Sequence, residues 1–104
     1  MTGAAMFVLA EAEAGRLAEL ADWYVEHHIP EMLAVPGIAS AAQYRPVQGG
    51  ADQPPASLLT IYRFDTDDAD GVIAELTARR PQMSSTTALA SATVWIARGT
   101  PEDS

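Results

Sequence analysis

The chain of 104 residues contains no cysteine, which removes disulfides and thiolate chemistry and gives no sign of an oxidising compartment. It contains no lysine either: six arginines face fourteen acids, for a formal net charge of −8. So acidic a fold repels phosphate backbones, and nucleic acid is not an expected partner. No run approaches the roughly 18 apolar residues of a membrane span. The opening MTGAAMFVLA lacks the basic start and the long apolar stretch of a signal peptide. A membrane is therefore not expected as a partner, and the cytoplasm is the expected location. Glycine-rich phosphate loops and a serine nucleophile in recognisable context are also missing.

What remains fits one domain over residues 1–104, because chains usually divide only beyond about 200 residues. Residues 1–5 and 99–104 are expected as flexible ends. Met6 to Ala10 is an apolar run suited to a buried strand, and Glu11 to Gly15 reads as a connection. From Gly15 to His28 the period becomes helical, with Leu17, Leu20, Ala21, Tyr24 and His28 on one face and Glu19, Asp22 and Glu26 opposite. Pro30 predicts a kink and a short second helix to Val35, and Pro36-Gly37 stops it.

Ile38 to Arg45 alternates as a strand, PVQGGADQPPA follows as an exposed hairpin loop, and SLLTIYRF (57–64) is a third strand. Thr66-Asp67-Asp68 supplies caps for a helix over 68–80, and LASATVWIAR (89–98) is a fourth strand. The acids from Asp65 to Asp70 read as a solvated capping loop, since the glycine and distal glutamate of a calcium loop are missing. The element order is βαββαβ, the α+β ferredoxin-like arrangement of a four-stranded antiparallel sheet with two helices on one face. No strand offers a clean polar face for the other side. Two copies are therefore expected to pack sheet to sheet as a homodimeric barrel.

The stretch WYVEHHIPEMLAVPGIASAAQYR (23–45) gathers both histidines, two tyrosines and a tryptophan. Its signature consists of Trp23, Tyr24, His27, His28 and Pro30, then Leu33, Pro36-Gly37-Ile38, Ala41, Tyr44 and Arg45. It resembles the EthD-like branch of the dimeric α/β-barrel superfamily. The order of elements carries the resemblance over nearly the whole chain, and the signature over a quarter of it. The superfamily includes lactone isomerases, polyketide cyclases, quinone-forming monooxygenases, EthD-type dehydratases, haem enzymes and proteins without assigned activity. The resemblance implies that the histidine two residues before the proline, His28, points into a cleft and moves protons. His27 matches a more variable neighbour. The absence of asparagine counts against an oxygenase site that pairs asparagine with tryptophan.

Independently of the family, a neutral imidazole near pH 7 accepts a proton and returns it. The candidate catalytic residues are His28, Tyr44 and His27, and the candidate substrate contacts are Tyr24, Tyr62, Trp95, Arg45 and Thr60. Glu31, nearly one turn on, would raise the His28 pKa if it points inward. The competing reading of His28 is a helix-end cap or a core contact, and each strand residue has ordinary core filling as its alternative. Trp23 reads as core. Adjacent helical histidines diverge by about 100°, so no metal is expected, and no cofactor. The expected partner is an aromatic or polyketide-like small molecule, and the expected chemistry that of a cyclase, isomerase or dehydratase. The alternatives are a noncatalytic dimeric barrel that binds a small ligand or serves a stress response, and a cofactor-free quinone-forming monooxygenase.

Overall fold

β1 spans Ala4–Ala12 in a computed structural model that describes residues 3–46 and 57–99. It is longer at both ends than its apolar centre predicts, because it is a central strand. It pairs antiparallel with β3 (Ser57–Phe64) from Ala5↔Arg63 to Glu11↔Ser57, and with β4 (Leu89–Arg98) from Ala4↔Arg98 to Ala12↔Leu89. Two neighbours supply partners beyond the hydrophobic run. Of the expected loose ends, the described part is corrected: Ala4 and Ala5 lie in the strand, and the Gly99 N–H donates to the Gly3 carbonyl at 2.7 Å, while 1–2 and 100–104 lie outside the described residues. β2 (Ile38–Tyr44) pairs antiparallel with β3, and the sheet order is β2-β3-β1-β4. The predicted hairpin loop lies, from residue 47 to 56, outside the described residues.

The first helical segment runs α1 (Leu17–Trp23), a π turn (Tyr24–His28) and α2 (Ile29–Leu33). The backbone keeps right-handed helical angles through His28 and Ile29, so the expected kink is a widened turn instead. The second segment is α3 (Ala69–Arg79) and a 3₁₀ turn over Arg80–Gln82. The Asp68 carboxylate accepts from the Gly71 N–H at 2.9 Å, as its N-cap role predicts.

Both segments cover the sheet face built from Met6, Ala10, Leu58, Tyr62 and Phe64. α2 closes over it with Met32, the turn after it with Val35, α3 with Val72 and Leu76, and α1 with Leu20. A side chain as fully buried as Leu20 contributes about 1.5–3 kcal/mol. The helices leave the same face of β4 open, where Val94 and Ile96 stay exposed. On the opposite sheet surface, register and alternation gather Phe7, Leu9, Leu59, Ile61, Ala42 and Trp95. Phe7 and Trp95 stack there with ring centroids 5.5 Å apart.

Gly37 joins α2 to β2 with φ at +95°, where a Cβ would stand 2.6 Å from Val72 Cγ2. Left-handed backbone and a buried β-branched neighbour act together, so Gly37→Ala is expected to lower stability by about 2–4 kcal/mol. Urea denaturation checks it, and an unchanged midpoint contradicts this account of the turn.

Candidate active site

The site begins with the proton that Pro30 lacks. A proline ring at position i collides with the carbonyl of residue i−4 and offers no N–H in return. Here the obstructed carbonyl belongs to Glu26, and the helix widens just before Pro30: the Ile29 N–H donates to the carbonyl of Tyr24, five residues back. In a wide turn, residues five apart become neighbours. Trp23 and His28 accordingly stack at 4.6 Å with planes 14° apart, and Tyr24 meets the same imidazole edge-on at 5.4 Å.

His28 thereby lines a cleft of about 310 Å³ between the helices and the β1–β4 side of the sheet. Its walls include Val8, Trp23, Met32, Met83 and Val94, with Tyr24 and Tyr62 at the back and Arg80 and Ser85 among its polar edges. This volume stands at the lower end of the range of small-molecule sites. The imidazole is about one-fifth exposed, and its Nδ1 is shut from solvent without a protein partner.

Glu31 comes close without closing a bond. Its Oε1 lies 3.9 Å from Nδ1, while the carboxylate accepts from both the N–H and the hydroxyl of Ser84, each at 2.9 Å. Those bonds, the backbone one above all, hold the Glu31 carboxyl below the usual range. For His28, burial outweighs the carboxylate: desolvation pushes the imidazole below its ordinary value, Glu31 opposes this, and the Arg80 charge adds to it. The expected upward shift from Glu31 is thus corrected, and the ring is neutral at pH 7. Burial also pushes the Tyr24 and Tyr62 phenols up, so both stay protonated.

Of the residues proposed from sequence, His28, Tyr24 and Tyr62 meet in the cleft. Thr60 lies beneath it, fully buried, accepting a hydrogen bond from Gln43 Nε2 at 3.1 Å. His27 faces solvent. A bulge between Ile38 and Ser40 sets the register of β2, so that Tyr44 pairs with Leu59 and projects from the far surface of the sheet. Trp95, opposite Phe7, does likewise, and Arg45 is exposed beyond the end of β2. Within one chain, Tyr44, Arg45 and Trp95 therefore do not join His28. Trp23 and Arg80 were not singled out as site residues: Trp23 had read as core, and it becomes a wall of the cleft. The available signal was Pro30, whose widened turn brings Trp23 under His28.

No family model matches the chain, and no curated protein matches it in sequence. Solved structures match its shape. The heme-degrader MhuD from Mycobacterium tuberculosis, solved with two hemes in its active site, is 18% identical with a TM-score of 0.63, covering 89% of this chain and 91% of that one. A candidate antibiotic biosynthesis monooxygenase from Bordetella bronchiseptica is 13% identical with a TM-score of 0.64, covering 97% and 98%. An EthD family protein from Bacillus halodurans is 12% identical with a TM-score of 0.52, covering 90% and 96%. At these identities the likeness establishes the architecture: the chain has the ferredoxin-like fold of the α/β-barrel proteins, and the EthD resemblance holds at that level. Among the described residues, no helix is long and apolar enough to cross a membrane.

The depressed imidazole carries a pH signature. Below the ordinary value of 6.5 the unfolded ring binds a proton that the folded one does not, so stability falls as pH drops from 6.5 to the lower folded value. Glu31 acts in a separate window: the stability it brings is full above 4.5 and is lost as pH falls through its own depressed value. Unfolding free energies measured by urea titration from about pH 7.5 to about 5.5 should slope downward. The slope should flatten in His28→Gln, and an equal slope in both proteins contradicts the burial of the ring.

Proposed function

We propose that this chain is a cofactor-independent enzyme that transfers a proton on a flat, aromatic or polyketide-like small molecule, with His28 as general acid and base. One observation carries the reading: a largely buried imidazole on the wall of an apolar cleft, stacked on Trp23 at 4.6 Å. Neutral imidazole at pH 7 is the form that accepts a proton, and a positioned one is worth roughly 10²–10⁴ in rate. The proton comes from an acidic C–H beside a carbonyl of the substrate, and the bonding electron pair moves onto the carbonyl oxygen as an enolate. The imidazolium returns that proton to another carbon of the enolate, which is an isomerisation, or to a β-hydroxyl that leaves as water while the enolate pair re-forms the carbonyl, which is a dehydration. In a cyclisation the enolate carbon first attacks a second carbonyl of the same molecule, whose oxygen takes the proton. No oxidant enters the balance. The protonated phenols of Tyr24 and Tyr62 are suited to donate toward the oxygen that gains charge. His27 lies too far toward solvent to share this task without movement.

We also propose that two copies meet over the open sheet surface, in the cytoplasm. The support is the apolar character of that surface around the Phe7–Trp95 stack, with Trp95 43% exposed in one chain. In such a pair Tyr44, Trp95 and Arg45 belong to the shared interior or its rim.

His28→Gln is expected to fold, to bind ligand with little change, and to lose turnover by roughly 10²–10⁴. A variant that keeps its rate removes His28 from the chemistry, a native chain that binds without turnover fits a noncatalytic binding barrel, and substrate-dependent oxygen uptake fits the monooxygenase alternative. Ile61→Glu places a charge at the centre of the open face and is expected to halve the mass seen by light scattering while circular dichroism stays native. A native chain that runs as one copy at micromolar concentration contradicts the pairing.

A further inference from the structure

The cleft has one permanent charge among its lining residues, the guanidinium of Arg80. Its neighbour in sequence, Arg79, is engaged: it donates to Glu75 at 2.8 Å and to the Ala34 carbonyl at 3.2 Å. Arg80 forms no ion pair among the described residues. Glu31, the acid 3.9 Å from His28 Nδ1, is held by Ser84 through two hydrogen bonds and forms no ion pair with Arg80. In a chain of net charge −8, an unpaired arginine beside an apolar cleft is a local positive site in a negative field. Low-dielectric walls focus such a charge toward the cavity.

Resting on the proton-transfer reading of the same cleft, we infer that its ligand carries an oxygen anion, a carboxylate or an ionised enol, which Arg80 holds at the mouth while the flat apolar body lies along Trp23. The guanidinium fork matches a two-oxygen anion with paired N–H donors. Its charge already reaches the buried ring, since Arg80 is one of the groups that hold His28 down. An anion on Arg80 offsets that charge. The imidazole, which also has Tyr24 and Glu31 beside it, then becomes a stronger base as the substrate arrives. Arg80 is thereby a specificity-determining residue, and it is placed to stabilise an enolate formed beside His28.

A matched pair of probes tests this: 2-naphthoate and its neutral counterpart 2-naphthamide, titrated at low ionic strength while the Trp23 and Trp95 indole N–H signals are followed by NMR. Both compounds should move the Trp23 signal and leave that of Trp95, on the far sheet surface, in place. The carboxylate should bind roughly ten-fold tighter or better, as one charge-assisted contact provides. Arg80→Gln should erase that preference while leaving the naphthamide affinity unchanged, and Arg80→Lys should restore part of it. A preference absent from the native chain, or undiminished in Arg80→Gln, overturns the assignment of the anion and leaves the cleft reading intact. If neither probe moves the Trp23 signal, the cleft does not take flat apolar ligands, and both readings fall.

Discussion

The arrangement of the site depends on the backbone proton missing at Pro30. In an ordinary α-helix, residues five apart point about 140° away from each other, and Trp23 and His28 would not touch. Widening by one residue relieves the collision with the Glu26 carbonyl, and it turns the i, i+5 pair into a stack. A single proline thus sets the helical path, the partner of the imidazole, and the wall that the imidazole shares with the cleft. The chain enters and leaves the wide turn with helical backbone angles, so α2 still reaches the core with Met32. Local backbone chemistry shapes the site while the packing beneath it is kept.

The electrostatic state of the imidazole follows from competition for Glu31. A carboxylate at hydrogen-bond distance would favour imidazolium and make a poor base at neutral pH. Ser84 binds that carboxylate twice, and the remaining separation of 3.9 Å from Nδ1 exceeds a hydrogen bond. Desolvation then prevails over the weakened attraction. The loop after α3 therefore acts on the imidazole through the carboxylate it holds, besides lining the cleft with Met83 and Ser85.

Much of the fold was legible in the chain. The β-branched and aromatic runs at 57–64 and 89–98 coincide with β3 and β4, and the Asp68 cap starts α3 as read. What escaped reading was register. The strict alternation expected from Ile38 to Arg45 breaks at the bulge, which puts Ile38 opposite Phe64 on the helix side and sends Tyr44 to the other. Pairing with β3 decides this, and no residue of β2 announces it. The division of labour between Arg79 and Arg80 was more accessible. Four residues before Arg79 stands Glu75, and four before Arg80 stands Leu76. Helical spacing alone pairs the first arginine and frees the second.

β4 links the two surfaces of the sheet. Ala92 and Val94 line the cleft, whereas Trp95 stacks on Phe7 on the other side. Adjacent strand residues project oppositely, so a displacement of Trp95 is also a displacement of the backbone that carries Val94. β4 is an edge strand, bonded only to β1, and neither of its faces is covered by a helix of its own chain. It is therefore the strand whose position responds most to whatever rests on the open surface. A second copy seated there would fix the wall against which a ligand lies opposite His28, and pairing and chemistry would be coupled through one strand without any residue crossing between the two sites.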